Sequence, residues 1–251
     1  MTEDLGRRFG GLSRLYGDRG YERIRAARIA VVGLGGVGSW AAEALARSGV
    51  AVLHLIDLDH VAESNVNRQI QALTSTLGMA KAVALAARIA EIHPGCTVRA
   101  IEAFADAESW PGLLGGAPVD AVIDACDQVH AKAALAAWAL AGGKRAAERV
   151  EVADLAGAPH SPLPAGLRAG PRERHGAARS GPIGLDAVFS REPVRMPDAS
   201  CEVDGSLNCH GYGSSVVVTA TVGLVAAGRV LERVAGGGTA VAGSGGTSTT
   251  G

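Results

Sequence analysis

The feature that most constrains the fold is a glycine-rich turn between two apolar segments, within the stretch from Arg28 to Asp59. Before the turn, Ile29 to Val32 forms a short apolar run, which predicts a buried strand. The glycines of the turn follow the pattern G-x-G-x-x-G with one addition, and they are Gly33, Gly35, Gly36 and Gly38. Such a turn lets the backbone approach a phosphate closely, so the stretch predicts a nucleotide site.

The segments after the turn supply the structural context that this motif requires. Ser39 to Ser48 is rich in alanine and leucine at helical spacing, and Gly49 ends it. Val52 to Ile56 is a second apolar run, closed by the acidic residue Asp57. The order strand, turn, helix, strand and acid predicts an α/β fold with a Rossmann-like, doubly wound, mostly parallel sheet. The N-terminus of the helix would favour the negative charge of a phosphate.

A polar loop follows the second strand and separates this chain from a simple dinucleotide-binding protein. After Asp59 it carries two amides and an arginine within a dozen residues, at Asn65, Asn67 and Arg68. This cluster fits a triphosphate better than the pyrophosphate bridge of a dinucleotide. The alternative is a polar surface loop that holds these residues by chance.

The next elements continue the alternation of helix and strand. Leu77 to Ile92 has the periodicity of an amphipathic helix, and Lys81 lies in its first turn, facing the expected nucleotide. The alternative for Lys81 is a solvated surface lysine, the usual place for this residue. Thr97 to Ile101 and Val119 to Asp124 predict the third and fourth strands.

Several carboxylates follow the ends of predicted strands, at Asp57, Asp59, Asp124 and Asp127. Because ligands of doubly wound sheets bind beyond the carboxyl ends of the strands, we expect these side chains to converge on one crevice. Two of the four could hold Mg²⁺ against ATP oxygens, since this ion prefers carboxylates together with phosphates. Cys126 is expected to lie buried beneath this site.

The rest of the chain alternates helical and strand-like segments with loops. The segments are a helix at 130–141, strands at 149–152 and 186–190, and an apolar helix at 214–234. Residues 156–182 are rich in Pro, Gly and Arg and predict a mobile loop, and 236–251 predict a flexible Gly/Ser/Thr tail. We expect one domain over residues 1–235, irregular at 142–182, with a C-terminal extension.

The N-terminal segment shows little regular pattern. Residues 1–8 are expected to fray, and only Asp18 to Ala27 is expected to form a short helix. The segment is either an arm packed on the domain or an arm that delivers Arg14 to a phosphate, including one in a partner subunit.

Composition limits the class of protein and its compartment. The net charge is −1, so a surface for nucleic acid must be a local patch, such as the arginines Arg168, Arg172, Arg174 and Arg179. The four cysteines form no C-x-x-C pair, which argues against a four-thiolate zinc site. Neither a secretory signal nor a transit peptide is evident in the N-terminal residues, and the longest apolar run is too short to span a bilayer. We expect a cytoplasmic protein with reduced thiols.

With these residues in view, the chain resembles the adenylating enzymes related to ubiquitin activators. The shared motifs are GLGGVGS, LIDLDHVAESNVNRQ, the helix that carries Lys81, and VIDACD. In that family the equivalents of Gly36, Asp57, Asn65, Arg68, Lys81 and Asp127 bind ATP and magnesium. The resemblance implies that Arg68 and Lys81 stabilise charge on the phosphates, while Asp127 holds Mg²⁺. It also implies a homodimer, for which the apolar segments 130–141 and 214–234 offer surface.

Within that family the chain is most similar to the branch that acts on tRNA. Three stretches carry this match: RFGG..RLYG at 8–17, GLDAVFSREP at 184–193 and CHGYGSSVVVTATVGLVAA at 209–227. The match implies that ATP activates the carboxylate of a threonylcarbamoyl group on a tRNA adenosine, and that the carbamoyl oxygen then closes a ring.

The chain departs from that branch at two places. Its members carry an apolar strand and a glycine-rich loop between the equivalents of Ala141 and Val150, and residues 142–148 are too short to supply both. We therefore expect one strand of the sheet to be missing or built differently. The arginine that would serve a partner's site falls near Gly11 and is absent, so that Arg14 is the candidate to replace it.

Three other functions remain open from the sequence. The first is adenylation of a ubiquitin-like sulfur-carrier protein, with Cys201 or Cys209 as an acceptor. The second is a nicotinamide-dependent oxidoreductase, which fits the glycines and Asp57 but leaves Asn65, Arg68 and Lys81 without a role. The third is a nucleotide-binding module without catalysis.

Overall fold

A computed structural model of the chain shows the order of elements expected for an α/β protein. The residues it describes are 4–106, 108–110, 112–126, 137–140, 144–157, 181–193 and 214–237. The helices among them are α1 Leu5–Phe9, α2 Gly11–Ala26, α3 Gly38–Arg47, α4 Lys81–Ile92 and α5 Val216–Ala235. The strands are β1 Arg28–Val32, β2 Val52–Ile56, β3 Thr97–Ile101, β4 Ala121–Asp124, β5 Ala137–Leu140, β6 Val150–Asp154 and β7 Asp186–Ser190.

The strands form one seven-stranded sheet in the order β3-β2-β1-β4-β5-β7-β6. Neighbouring strands are parallel, apart from β6, which pairs antiparallel with β7. The order reverses between β1 and β4, and ligands of open α/β sheets bind beyond the carboxyl ends of strands at such a switch point. The predicted fold class is confirmed, and the glycine turn lies at this switch point because it leaves the end of β1.

The core lies on both faces of the sheet because successive side chains of each strand point to opposite sides. In β1, Ile29 and Val31 join the larger cluster with residues of α3, α4 and α5. Ala30 and Val32 join a smaller cluster on the opposite face with Leu114. Burial of a Val or Ile side chain contributes about 1.5–3 kcal/mol, so both faces stabilise the strand that leads into the glycine turn.

Helix α5 packs closely against α3 through a glycine. A Cβ added at Gly223 would collide with the carbonyl oxygen of Val37 and lie 3.1 Å from the amide nitrogen of Ala41. The N-terminal part of α5 thereby reaches the turn, since a Cβ at Gly36 would lie 3.2 Å from Thr219. Among the described helices, none has both the length and the apolar character needed to cross a membrane.

The N-terminal segment is more regular than predicted, because α1 and α2 cover residues that were expected to be irregular. Arginines of these helices donate hydrogen bonds to carbonyl oxygens at or beside helix C-termini: Arg8 to Ile92 at 2.7 Å, Arg25 to Gly49 at 2.6 Å and Arg23 to Ala235 at 2.6 Å. The last carbonyls of a helix lack partners within the helix and favour cations. The N-terminal arm is therefore packed on the domain, at the end of the sheet opposite the glycine turn.

Two predicted boundaries in the remainder are wrong. Helix α4 begins at Lys81 and not at Leu77, because residues 77–80 form a turn whose Ala80 pairs with His60 in a β-bridge. The helix predicted at 130–141 is wrong at its C-terminal end, where Ala137–Leu140 forms β5 between β4 and β7. Residues 142–148 are too short to supply the expected strand. The preceding segment, Ala137–Leu140, forms a strand of the sheet instead.

Several predictions concern residues outside the described part of the chain. They are the N-terminal part of the 130–141 helix, the loop over 158–180, the cysteine-containing segment 201–213 and the tail from 238 onward.

Candidate active site

The glycine turn runs from Gly33 to Gly38 and is held tightly against the ends of two neighbouring strands. Gly33 has φ +81°, and its N–H donates to the carbonyl of Ile56 at 2.9 Å. A Cβ at Gly33 would lie 2.8 Å from the amide nitrogen of Cys126, and one at Gly38 would collide with the carbonyl oxygen of Gly33. Both positions therefore require glycine, and the turn leads directly into the N-terminus of α3, where backbone N–H groups are available to an anion.

Asp57, at the end of β2, contacts the glycine turn directly. Its Oδ2 accepts the N–H of Leu34 at 2.6 Å, and its Oδ1 accepts the N–H of Asp59 at 2.8 Å. Burial raises the pKa of the Asp57 carboxyl, while the charge of Lys81 and the two backbone N–H donors oppose this rise. Each carboxylate oxygen keeps a further lone pair, so Asp57 can also accept a hydroxyl from a ligand.

Lys81 is buried and lies between two carboxylates. It is only 6% exposed, so the interpretation as a solvated surface lysine is wrong. Its Nζ donates to Asp59 Oδ2 at 2.7 Å and lies 4.0 Å from Asp57 Oδ1. The Asp59 side chain is 72% exposed, so this ion pair is open to solvent on one side. Lys81 is the first residue of α4, which fixes the start of its side chain beside the crevice.

Asn65 and Arg68 lie in the same compact loop, and both are buried. Asn65 Oδ1 accepts the N–H of Ala62 at 3.1 Å, which closes a turn at the start of the loop. Arg68 donates from Nη1 to the carbonyl of Ser64 at 2.6 Å and to Asn67 Oδ1 at 2.8 Å. Its Cγ would lie 3.2 Å from a Cβ at Gly36, so the arginine stem crosses the glycine turn.

The guanidinium of Arg68 keeps one edge for a ligand. The hydrogen bonds of its side chain all involve Nη1, and within the described residues Nε and Nη2 have no partner. These two nitrogens form the side of the fork that grips two oxygens of a phosphate or carboxylate. The arginine is thus held on one edge and available on the other.

The aspartates at the end of β4 and just after it are described only in part. Asp124 is 1% exposed, stands beside Val32 in the sheet, and accepts the N–H of Cys126 at 2.9 Å through Oδ1. Asp127, the predicted metal ligand, lies outside the described residues. In the described ranges no cluster of three or more His, Cys, Asp or Glu side chains is arranged to hold a metal. Asp57 and Asp59 do meet, through Lys81, as predicted from their positions after β2.

Of the other sequence candidates, Cys126 lies beside the glycine turn, and several fall outside the described residues. Arg14 is exposed on α2, before a kink at Gly17, and it takes no part in the hydrogen bonds described above for the crevice. Cys96 is half-buried, and burial raises the pKa of its thiol to about 11. Cys126 is half-buried beside the turn. Cys201, Cys209 and the loop arginines fall outside the described ranges.

Sequence reasoning missed two side chains that shape the site. Trp40 Nε1 donates to the carbonyl of Arg68 at 2.9 Å, and Gln71 Nε2 donates to the carbonyl of Leu34 at 2.9 Å. The signal for Gln71 was a polar residue between the apolar residues Ile70 and Ala72, since a buried amide needs partners. Trp40 gave no such signal, because a tryptophan at the start of an apolar helix is expected to pack in the core.

Comparison with known proteins identifies the family. The model of the ThiF family matches residues 10–244. The chain is 38% identical over 250 residues to the tRNA threonylcarbamoyladenosine dehydratase of Escherichia coli and 37% identical over 243 residues to that of Haemophilus influenzae. Each alignment covers 90% of this chain and 93% of the relative.

Solved structures agree with the sequence comparison. The crystal structure of the E. coli dehydratase in complex with AMP has a TM-score of 0.83 and 37% identity to this chain. It covers 94% of this chain and 97% of its own. The same enzyme in complex with ATP has a TM-score of 0.82 and 36% identity. With the family model spanning most of its length and relatives aligned over nine-tenths of it, the chain belongs to the ThiF family.

Proposed function

We propose that this chain uses ATP to dehydrate threonylcarbamoyladenosine in tRNA through an adenylated carboxylate. The observation that carries the proposal is the contact of the glycine turn with the Arg68 stem, together with a guanidinium edge that would be available to the phosphate of a nucleotide bound at the turn. The relatives that share nearly the whole chain are named for this reaction, and the E. coli relative was solved with ATP and with AMP.

The nucleotide is best accommodated with its phosphates against the turn. The N–H groups at the start of α3 and the helix dipole favour a phosphate there. Asp57 would accept a ribose hydroxyl, the usual task of the acid at the end of the second strand. Arg68 and Lys81 would then flank the phosphate chain as cations, and Asn65 would support the loop that carries Arg68.

The reaction proceeds in two balanced steps. A carboxylate oxygen of the threonylcarbamoyl group attacks the α-phosphate of ATP, so the acyl-adenylate forms and pyrophosphate leaves. The carbamoyl oxygen then attacks the activated carbonyl carbon and closes the ring. The bond from this carbon to the AMP oxygen breaks, AMP leaves with that electron pair, and a carbamoyl N–H gives up its proton, so that the nucleoside loses one water in total. Charge grows on the α-phosphate in the first step, and a fixed cation that binds the transition state more strongly than the ground state accelerates it.

Mg²⁺ is the second expected cofactor. The ion is commonly held by one or two carboxylates together with substrate phosphates, so Asp127 with ATP would meet its preference for oxygen ligands. Its charge would offset that of the departing pyrophosphate. We expect Asp127→Asn to weaken Mg²⁺-dependent ATP binding, measured by calorimetry with and without the ion, while the thermal midpoint stays unchanged. Unfolding of this variant would show a structural role instead.

The decisive test of the function uses purified protein, ATP and threonylcarbamoylated tRNA. We expect AMP and pyrophosphate in equal amounts, and a tRNA nucleoside lighter by one water in mass spectrometry. ATP turnover that requires a carrier protein and not tRNA would support the sulfur-carrier alternative. Binding of NAD without ATP would support the oxidoreductase alternative, and ATP binding without any AMP would leave a non-catalytic module.

A homodimer in the cytoplasm is part of the proposal. Helix α5 exposes Val217 and Leu224, which are 54% and 49% exposed and lie two turns apart on one side of the helix. Exposed apolar side chains at such spacing fit a contact between two copies, and the second copy could bring Arg14 to the site. Light scattering at micromolar concentration should give the mass of two chains, and a monomer would contradict this.

A further inference from the structure

Gln71 is a buried amide next to the candidate active site, and none of the roles above uses it. It is 1% exposed. Its Nε2 donates to the carbonyl oxygen of Leu34 at 2.9 Å and to Gln69 Oε1 at 3.2 Å. Because the Leu34 oxygen can only accept, this contact assigns the nitrogen of the amide to that side.

With this contact, both backbone polar groups of one residue in the glycine turn are hydrogen-bonded to side chains. Leu34 lies between Gly33 and Gly35, and its N–H is bound by Asp57 while its carbonyl is bound by Gln71. Glycine has little conformational preference of its own, so hydrogen bonds must select the shape of such a turn. Leu34 is thereby held on both sides by side chains from two other segments.

The same contact joins the turn to the loop that carries Arg68. Gln71 follows Arg68 by three residues, and the carbonyl of Arg68 accepts Trp40 Nε1 at 2.9 Å. One link therefore ties the loop to the turn and the other ties it to α3. Together they set the distance between the guanidinium of Arg68 and the backbone N–H groups of the turn.

We propose that Gln71 is a positioning residue. Its amide fixes the glycine turn and the Arg68 loop relative to each other, so that both bind the same phosphate chain. It touches neither substrate nor nucleotide. The inference rests on the proposed ATP site, and it adds the residue that aligns the two halves of that site.

The consequence for binding follows from the buried carbonyl of Leu34. In Gln71→Leu this oxygen loses its donor, and an unsatisfied buried acceptor carries a desolvation penalty. The free protein can relieve the penalty by turning the carbonyl toward water, and ATP must then restore the turn. We expect ATP with Mg²⁺ to bind about tenfold more weakly, in line with the usual size of that penalty.

A second variant separates positioning from space filling. Gln71→Glu has the same shape, but its ionised form has no donor for the Leu34 carbonyl. Burial raises the pKa of such a carboxyl, and the protonated acid can donate one O–H to Leu34. We expect ATP affinity of this variant to recover as the pH is lowered from about 8 to about 6, relative to wild type at each pH.

The experiment is calorimetry of the full chain with ATP and Mg²⁺ across that pH range. Ile89→Val is the matched control, because it removes one methyl group from the core side of α4, remote from the turn, and should lower thermal stability but not ATP affinity. A double-mutant cycle of Gln71→Leu with Arg68→Ala is measured on the rate of AMP formation. The two effects should be non-additive, because Gln71 acts by positioning Arg68 relative to the glycine turn.

The outcomes are distinct. The inference is supported if Gln71→Leu binds ATP more weakly, if the ATP affinity of Gln71→Glu recovers at lower pH, and if Ile89→Val keeps wild-type ATP affinity. Wild-type affinity in Gln71→Leu, or a Gln71→Glu profile parallel to wild type, overturns it and leaves Gln71 as a packing residue. Failure of the wild-type protein to bind ATP would overturn the proposed function itself, and this inference with it.

Discussion

Replacement of Arg68 tests the placement of the active site most directly. Arg68 is 9% exposed, and its guanidinium is fixed through Nη1 by Ser64 and Asn67, so the opposite edge is already oriented before ATP binds. A preorganised donor in a site poorly reached by water costs little reorganisation when charge develops. Loss of one such group commonly lowers turnover by about 10²- to 10³-fold. For Arg68→Ala we expect about a hundredfold, or roughly 2.7 kcal/mol.

Arg68→Lys should recover only part of this loss. An ammonium is a point charge without the planar fork, so it cannot bind the Ser64 carbonyl on one edge and two phosphate oxygens on the other. We expect it to regain about tenfold at most relative to Arg68→Ala. The affinity for ATP should fall less than the rate, because the arginine acts mainly on charge formed in the transition state.

The assay is single-turnover formation of AMP at saturating ATP, with the thermal midpoint of each variant measured alongside. Arg19→Ala is the control, since Arg19 is an exposed arginine on α2. Its neighbour Gly20 packs on Ala235 at the C-terminal end of α5, whereas the N-terminal part of α5 contacts the turn. It should match the wild-type rate. If Arg68→Ala remains within about threefold of wild type, Arg68 does not stabilise the transition state, and the proposed site is misplaced.

Three further predictions concern stability and reactivity. Gly223→Ala should destabilise the protein by about 2 kcal/mol or more, since its Cβ would collide with the start of α3. Gly228→Ala on the same helix meets nothing within 4 Å and should stabilise the protein by about 0.5–1 kcal/mol. Urea unfolding measures both changes. Arg28 holds the pKa of the Asp120 carboxyl below its usual range through hydrogen bonds to it. The stabilisation from Asp120 is therefore present above its unfolded pKa of about 3.9 and lost as pH falls below it, so the stability gap between wild type and Asp120→Asn should narrow between pH 7 and pH 3; a constant gap would refute the pairing. Because burial raises the pKa of Cys96 to about 11, peptide mapping after iodoacetamide at pH 7.5 should find Cys96 labelled far more slowly in the native than in the unfolded protein.

The sequence by itself determined the parts of this protein that depend on local pattern. The apolar run before Gly33, the glycine spacing and the acid after β2 predicted the strand, turn, helix and strand that the structure contains. These features are local because a buried strand needs a continuous apolar segment, and a tight turn needs residues without a side chain. The fold class follows from them, and the motifs that carry Asn65, Arg68 and Lys81 add the resemblance to the family.

The tertiary structure alone decided which contacts complete the fold and the site. Residues 137–140 are Ala-rich with helical preference, yet they form β5 because the sheet offers unpaired edges between β4 and β7. Helices α1 and α2 depend on arginines that reach the ends of helices distant in sequence. The ion pair of buried Lys81 with Asp59 and the bond from Gln71 to Leu34 likewise join segments far apart in the chain. Propensity and periodicity describe a residue's neighbours along the chain, whereas these features depend on partners brought close only by packing, which is why the sequence could not specify them.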